Sequence, residues 1–440
     1  MLSAFLSAFR TPDLRKKLLF TLAMIAIYRL GATLPSPGVS YGNVQQCVKI
    51  VQNGSNGVFS LLNLFSGGAL LQLSVFALGI MPYITASIIL QLLTVVIPRL
   101  EQLRKEGQAG QAKITQYTRY LSLGLAVLQA SAFVALARSG QLFNNQCDQF
   151  PVIPQTKIPM WLTVSVIVVT MTAGTGVIMW LGEMVTDKGI GNGMSVLIFT
   201  SIAARLPSEG WSIKTSRGWG VFALIMAIGV IVITAVVFME QAQRRVPVQY
   251  AKRMVGRRMY GGTSTYIPLK VNQAGVIPVI FASSLLYLPQ LLLQLMDANH
   301  PNALYKFINN HLIKQNDWVN ITIYFLLILF FTYFYVSITF NPTEVADNMK
   351  KYGGFVPGIR PGKPTSEYLD FILSRITAPG ALYLAIIAVL PNLFIGLVGN
   401  NKQNFPFGGT AVLIIVGVGL ETVKQIESQL MQRNYEGFLR

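Results

Sequence analysis

The amino-acid sequence predicts an all-α membrane protein with ten transmembrane helices in two five-helix halves, related by an inverted pseudo-two-fold repeat. Three observations predict this fold class. The 440 residues are 52% hydrophobic and 12% charged, whereas a soluble chain carries about 25% charged residues. Apolar runs of about 20 residues, enough to cross about 30 Å of hydrocarbon, recur along the chain. One proline-centred motif occurs twice.

Ten apolar runs divide the chain into spans and loops. Eight of them approach spanning length and two are shorter. In chain order they lie at residues 18–34, 73–97, 117–137, 160–182, 193–206, 218–239, 274–296, 318–340, 376–398 and 408–423. The short runs at 193–206 and 408–423 both open with glycines. We count them as spans, and a re-entrant segment is the alternative at each of the two positions.

Loop charge predicts that both termini face the cytoplasm. The chain has 35 lysines and arginines and 17 aspartates and glutamates, which gives a net charge of +18. Most of the basic residues lie in the N-terminus, the C-tail and the alternate loops 98–116, 183–192, 240–273 and 341–375. Cytoplasmic loops of membrane proteins carry such an excess of lysine and arginine. The same excess favours anionic lipids or a polyanionic partner.

A repeated motif predicts the two halves. Residues 79–87 read Gly-Ile-Met-Pro-Tyr-Ile-Thr-Ala-Ser, and residues 275–283 read Gly-Val-Ile-Pro-Val-Ile-Phe-Ala-Ser. The copies align on Pro82 and Pro278, which are expected to bend their helices. The first half is then residues 1–206, with spans one to five, and the second half is residues 207–440, with spans six to ten. An odd number of spans in each copy inverts the second copy in the membrane. Chance recurrence of small residues and proline is the alternative.

The predicted membrane pathway is apolar. No aspartate, glutamate or histidine lies in the middle of an apolar run, and Arg29, near the outer end of span one, is the deepest charge. Ion-coupled carriers usually place an ionisable group at mid-membrane, so an ion-coupled secondary transporter of inverted-repeat type is the alternative to a passive channel. An apolar constriction blocks ions by dewetting, and ordinary packing or lipid contact is the alternative for each residue alone. The matching segments offer the isoleucines Ile80, Ile84, Ile198, Ile280 and Ile414.

An amphipathic segment at residues 59–70 lies between spans one and two, on the predicted outer face. It is too short to cross a membrane, and Gly67 and Gly68 within it provide a flexible hinge. The pattern predicts a short helix that folds back into an outward vestibule. A helix lying in the membrane interface is the alternative.

Two inner loops, at about residues 240–273 and 341–375, are long, basic and rich in glycine and proline. This composition predicts structured, hairpin-like tips. Loops of about 30 residues exceed what orientation in the membrane requires, so they are expected to be docking surfaces for RNA or an acidic protein face. Topology signalling alone is the alternative.

The sequence predicts no enzyme, no cofactor and no metal site. Gly362 and Lys363 imitate the end of a phosphate-binding loop, but Pro364 replaces the required serine or threonine. No catalytic constellation lies in the spans. Cys47 and Cys147 are too few for a disulfide framework. They are expected to be free thiols, and a single bridge on an oxidising outer side is the alternative.

Over essentially its whole length the chain resembles the SecY family, the pore subunits of the bacterial Sec translocon. Several stretches in order carry this resemblance. They are residues 65–70 (Phe-Ser-Gly-Gly-Ala-Leu), 77–84, 181–183, 189–193, 268–272, 274–278, 340–342 and 355–362 (Phe-Val-Pro-Gly-Ile-Arg-Pro-Gly).

The resemblance implies a protein-conducting channel. Members of the family pass unfolded preproteins across the membrane and release transmembrane segments sideways into the lipid. The pore ring of the family falls on the five isoleucines named above. Its plug falls in the region of residues 59–70, at Phe59, Leu61, Leu62, Asn63, Leu64, Phe65, Ser66, Gly67 and Gly68.

The resemblance also implies a side exit, the lateral gate, between spans two and three and spans seven and eight. The polar positions of this gate match Ser87, Gln91 and Asn272. With the pore ring, the plug and the lateral gate, the resemblance implies a channel that opens both across the membrane and sideways into the lipid.

Partners are implied by the same resemblance. SecE and SecG complete the complex, and the SecA motor ATPase and the ribosome, through its rRNA, dock on the two basic inner loops. The docking arginines of the family match Arg257, Arg258 and Arg360. The substrate is an unfolded preprotein with a signal peptide, and the location is the bacterial inner membrane.

Overall fold

A computed structural model describes the chain in two compact units. The residues described are 11–52, 66–70, 72–138, 152–154, 159–250, 253–255, 258–260, 264–295, 308–313, 317–398 and 409–436. The two units are, first, Met1–Ile225 with Gly399–Phe407 and Ile414–Arg440, and second, Met226–Val398 with Gly408–Leu413. We call them unit 1 and unit 2. The division into halves after residue 206 stays a prediction.

Helices dominate the described part of the chain up to residue 241. In chain order they are α1 (Pro12–Thr33), α2 (Tyr41–Gln52), α3 (Met81–Val96), α4 (Pro98–Lys105), α5 (Gln108–Arg138), α6 (Met160–Lys188), α7 (Gly193–Ala203) and α8 (Leu206–Gln241). Helix α8 is broken at Gly218, whose φ of 82° and ψ of 177° are not helical. The apolar part of α8 begins at this break.

The remaining described elements mix strands and helices. They are β1 (Gln243–Tyr250), β2 (Arg253–Val255), β3 (Arg258–Tyr260), β4 (Ser264–Lys270), α9 (Ile277–Leu295), a π-helical turn (Ile308–Ile313), α10 (Trp318–Thr339), α11 (Pro342–Lys351), β5 (Gly354–Phe355), α12 (Lys363–Val398) and α13 (Gly409–Glu436). Most of the described residues are therefore helical, as predicted.

Among the described residues, six helical stretches are long and apolar enough to cross a membrane. They are Gln108–Arg138, Met160–Lys188, Gly218–Gln241, Trp318–Lys351, Lys363–Leu390 and Gly409–Met431. Helices α3 and α4 would add a seventh span as a pair, although the chain bends by 101° between them. The protein is therefore a multi-pass membrane protein. The count of ten spans and the cytoplasmic placement of both termini stay predictions.

The two copies of the proline motif begin their helices in the same way. Pro82 is the second residue of α3 and Pro278 is the second residue of α9, so the expectation that they bend their helices is wrong. A proline in the first turn costs nothing, because the backbone N–H it lacks would have no partner inside the helix. Three residues before each proline, Gly79 and Gly275 have positive φ angles of 57° and 61°.

The two basic loops share one antiparallel sheet in the order β4-β1-β5. Strand β1 pairs with β4 from Gln243 opposite Lys270 to Gln249 opposite Ser264, and Tyr250 lies opposite Gly354 of β5. The predicted all-α class omitted this sheet. The strands are short and adjoin long apolar helices, and a hairpin between two spans leaves little trace in average hydropathy.

One hydrophobic core holds the sheet against α11 and the start of α12. Along β1, Val246 and Val248 are buried while their neighbours are exposed, as expected for a strand with one buried face. The core consists of Val246, Val248, Leu269, Met349, Val356, Leu369, Ile372 and Leu373. We call the β1–β4 hairpin, β5, α11 and the start of α12 the basic platform.

The structure corrects the expectation for the cysteines. Cys47 lies in α2, is buried and is disulfide-bonded, so the prediction of free thiols is wrong. Cys147, the other cysteine of the chain, lies outside the described residues. Disulfides persist in oxidising compartments, which agrees with the predicted position of this segment on the outer face.

Gly174 of α6 marks a close approach in unit 1. A Cβ atom at this position would lie 2.0 Å from the carbonyl oxygen of Val75 and 3.2 Å from Phe76 Cδ1. We expect Gly174→Ala to lower the free energy of unfolding by about 1–3 kcal/mol, because the backbone before α3 must move. Thermal unfolding in detergent measures the effect. Gly176→Ala is the matched control, since its nearest neighbour would be Leu123 Cδ2 at 3.8 Å. Equal unfolding temperatures for both variants would contradict the prediction.

Candidate functional site

The five predicted ring isoleucines are all buried or half-buried. Ile80, Ile198, Ile280 and Ile414 are 2%, 6%, 8% and 2% exposed, and Ile84 is half-buried. Ile280 belongs to unit 2 and the other four belong to unit 1. The N–H of Ile84 donates to the Ile80 carbonyl at 3.1 Å, which places these two residues one turn apart at the start of α3.

Helix α7, which carries Ile198, is fixed at its start by a side-chain cap. The Asn192 side-chain oxygen accepts hydrogen bonds from the N–H groups of Met194 at 3.1 Å and Ser195 at 3.3 Å. Such a cap satisfies backbone donors that have no partner inside the helix. The glycine-led run at this position is therefore a short, well-defined helix, and Ile198 lies in its second turn.

Only the end of the predicted plug falls within the described residues. Phe59, Leu61, Leu62, Asn63, Leu64 and Phe65 lie outside them. Ser66 is buried, and its hydroxyl accepts the N–H of Leu70 at 3.1 Å. Gly67 accepts a hydrogen bond from Arg29 Nη1 through its carbonyl, at 3.3 Å. The depth of the Arg29 charge is visible in the sequence, but its pairing with a residue 38 positions away is not.

The predicted gate residues divide between the two units. Ser87 and Gln91 lie one turn apart on α3 of unit 1, where Ser87 is half-buried and Gln91 is exposed. Asn272 lies in unit 2, between β4 and α9, and is 4% exposed. Residues four apart on a helix share a face, so Ser87 and Gln91 together form a polar strip on α3.

Asn272 joins the end of α8 to the start of α9. Its amide nitrogen donates to the Glu240 carboxylate and to the Gly275 carbonyl, while the N–H of Val271 donates to the Ala242 carbonyl at 3.0 Å. The carboxylate of Glu240 is thus held by a hydrogen bond at the base of the basic platform. The sequence does not indicate this contact, because it joins residues 32 positions apart.

Two of the three predicted docking arginines, Arg258 and Arg360, lie among the described residues of the two basic loops. Arg257 is outside the described residues, and Arg258 begins β3 opposite Val255 of β2. Arg360 is exposed in the turn between β5 and α12. Its carbonyl accepts a hydrogen bond from the hydroxyl of buried Thr365 at 2.8 Å. The backbone at Arg360 is therefore fixed while its guanidinium group faces outward.

One ion pair was missed by the sequence analysis. Arg119 of α5 binds Glu183 of α6 with two parallel hydrogen bonds, Nε to Oε1 at 2.8 Å and Nη2 to Oε2 at 2.7 Å. This bidentate geometry is the strong form of a charged hydrogen bond. The pair fixes α5 against α6, and no local pattern connects two residues 64 positions apart.

Sequence comparison finds full-length relatives of one kind. The sequence profile of the SecY family matches residues 74–423. Protein translocase subunit SecY of Mycobacterium tuberculosis is 64% identical over 446 residues, and the match covers 100% of both chains. Protein translocase subunit SecY of Streptomyces galbus is 64% identical over 445 residues, again covering 100% of both chains.

Structure comparison finds the same fold. A solved protein-conducting channel matches with a TM-score of 0.60 at 18% sequence identity, and the match covers 94% of this chain and 92% of that one. Sec61 in a canine ribosome–channel complex from the endoplasmic reticulum matches with a TM-score of 0.59 at 18% identity, with the same coverage of 94% and 92%. At such low identities the likeness shows the shared fold.

Proposed function

The chain belongs to the SecY family of protein translocase subunits, and we propose that it forms a protein-conducting channel for unfolded preproteins. The channel also releases transmembrane segments sideways into the lipid bilayer. The observation that carries this function is the 64% identity with protein translocase subunits over the full length of both chains. The alternative of an ion-coupled secondary transporter is not supported by these relatives.

The isoleucines are proposed to form the constriction of this channel. Each of the five is buried or half-buried, which supports contacts with protein rather than with lipid. A ring of branched apolar side chains repels water and ions, because a narrow apolar passage dewets. The same side chains can separate when a polypeptide enters, since they hold each other only by weak dispersion contacts.

The gate and the plug are proposed at the residues that the family pattern indicates. Ser87, Gln91 and Asn272 form the polar positions of the lateral gate, and the plug occupies the region of residues 59–70. Two observations support a gate at Asn272: it is buried at a helix junction, and its side-chain oxygen has no hydrogen-bond partner among the described residues. A buried amide with an unused acceptor favours rearrangement toward a polar partner.

The basic platform is proposed to dock the partners that supply energy. The chain offers no nucleotide site in its sequence, so the SecA motor or a translating ribosome drives transport through Arg257, Arg258 and Arg360. The fixed backbone and exposed side chain of Arg360 support this role. SecE and SecG complete the complex, and anionic lipids balance the net charge of +18.

The proposed topology has ten spans in two inverted halves, with both termini in the cytoplasm of a bacterium and the chain in the inner membrane. Two observations support it. The excess of lysine and arginine lies on one set of alternate loops. Both copies of the proline motif begin a helix after a glycine with positive φ, as expected of equivalent positions in two repeats.

Reconstitution tests the proposed function directly. Vesicles that contain this chain with SecE, SecG, SecA and ATP are expected to protect a labelled preprotein from added protease. The protection should depend on the signal peptide, so the same preprotein without it is the matched substrate control. Equal protection in vesicles that lack this chain would overturn the proposal. Proton-driven uptake of a small solute, without protection of preprotein, would restore the transporter alternative.

A further inference from the structure

Arg29 is a charged residue near the end of an apolar helix, and its partner is the backbone of the predicted plug. Its Nη1 atom donates to the Gly67 carbonyl at 3.3 Å, and its side chain is half-buried. A guanidinium group removed from water requires acceptors, because an unpaired buried charge is costly. The Gly67 carbonyl supplies such an acceptor.

The backbone at Gly67 fits closely between two helices of unit 1. Its φ angle is 66°, in the region that favours glycine. A Cβ atom here would lie 2.7 Å from Arg29 Nη1 and 3.3 Å from the Cα atom of Ser201 in α7. The space between the Arg29 side chain and α7 therefore admits a glycine backbone and little more.

The neighbour of Arg29 holds this part of α1 in place. Tyr28 is 1% exposed, and its hydroxyl shares a hydrogen bond of 2.6 Å with the Ser201 hydroxyl. Its ring stacks on Phe76 with the ring centroids 6.0 Å apart. Because Tyr28 fixes α1 both to α7 and to the segment that follows the plug, the adjacent arginine has a defined position.

A second guanidinium group lies beside the next residue. Arg205 Nε is 4.0 Å from the point that a Cβ atom on Gly68 would occupy. Arg29 and Arg205 come from the ends of two helical segments of unit 1 and lie against consecutive glycines. The end of the plug is thus flanked by two cations, and Arg29 bonds its backbone directly.

We propose that Arg29 is a positioning residue for gating: it latches the C-terminal end of the plug, at Gly67, in the closed channel. This inference rests on the proposed channel function. Opening the plug requires the Gly67 carbonyl to leave the Arg29 guanidinium, so the strength of this bond sets how often the resting channel opens. A hydrogen bond to a charged group is strong enough to shift that equilibrium by about tenfold.

Resting ion conductance of vesicles reconstituted with the complete complex tests the latch. Arg29→Ala is expected to raise the conductance by about tenfold, which corresponds to about 1.4 kcal/mol. Arg29→Lys keeps a donor and a charge and is expected to leak less than Arg29→Ala. Arg138→Ala removes an exposed arginine at the end of α5 and is expected to leave the conductance unchanged. Preprotein transport should persist in all of these variants, since the latch acts on the closed state.

A second variant changes the other partner of the contact between Arg29 and Gly67. Gly67→Ala places a methyl group against Arg29 Nη1 and is expected to raise the conductance as well. If the Arg29→Ala protein does not accumulate in the membrane, the resting conductance of Gly67→Ala tests the latch in its place. Wild-type conductance in both variants, in complexes that still transport preprotein, would overturn the latch and leave the channel intact. Failure of the wild-type complex to transport preprotein would instead overturn the proposed function.

Discussion

Vesicles that contain the Ile84→Gly, Ile198→Gly and Ile280→Gly triple variant are expected to conduct ions at least about tenfold faster at rest than vesicles with the unmodified protein. The three side chains are buried or half-buried and come from α3, α7 and α9. Their removal widens and wets the constriction, which lowers the barrier to ion entry. Each 1.4 kcal/mol lost from that barrier corresponds to a factor of about ten. Planar-bilayer recording measures the change.

Two control variants distinguish the loss of the isoleucine constriction from a general loss of protein stability. Ile231→Gly removes an isoleucine that is 68% exposed on α8, and its conductance is expected to equal that of the unmodified protein. A serine triple variant at Ile84, Ile198 and Ile280 wets the constriction with less loss of helix stability than glycine causes. Unchanged ion conductance in both triple variants, together with lost uptake of a small solute, would contradict the hypothesis that these isoleucines form the constriction.

Arg360→Glu is expected to block motor-driven secretion while the protein still inserts into the membrane. The Arg360 side chain is exposed, and the turn that carries it is held by the bond from Thr365 to the Arg360 carbonyl. Charge reversal therefore leaves the platform core intact and repels an acidic partner. Loss of a close charge pair in an interface slows a dependent process by about tenfold or more. Pulse-labelled secretion and the amount of chain in the membrane fraction measure the two effects.

Matched substitutions distinguish docking from charge alone. Arg360→Lys keeps the positive charge and is expected to retain part of the secretion rate, since lysine lacks the planar fork of arginine. Lys214→Glu makes the same reversal in the first part of α8, where Lys214 Nζ lies 4.1 Å from the Trp211 and Trp219 ring centroids. Lys214 is predicted to lie on the opposite face of the membrane. The Lys214→Glu variant is therefore expected to support secretion at the unmodified rate. Secretion by Arg360→Glu at the unmodified rate would remove Arg360 from the docking surface.

Most helices could be predicted from the sequence because the length of an apolar run is a local property. The runs at 117–137 and 160–182 lie within α5 and α6. The span predicted at 73–97 begins too early, since helix α3 begins at Met81. The residues before α3 form hydrogen bonds to the segment that follows α1. For example, the Val75 N–H donates to the Leu34 carbonyl at 2.9 Å. Such a long-range bond overrides local helix propensity.

The residues of the candidate site could be predicted only where a repeated segment or the family resemblance marked them. The two copies of the proline motif contain Ile80, Ile84 and Ile280, and the two short glycine-led runs contain Ile198 and Ile414. The burial of these side chains depends on the fold around them. The contacts from Arg29 to Gly67 and from Asn272 to Glu240 join residues 38 and 32 positions apart. No periodicity in one sequence links such pairs, because their meeting is decided by how the chain folds between them.

The core shared by the two loops of the basic platform constrains how specificity for a cytoplasmic partner can be exchanged between relatives. Tyr250 pairs with Gly354 across the loops, and Val248 packs in one core with Leu369. A chimera that imports residues 240–273 alone would set foreign valines against native leucines and leave gaps or overlaps between them. The two loops therefore behave as one cassette, to be transplanted together or not at all.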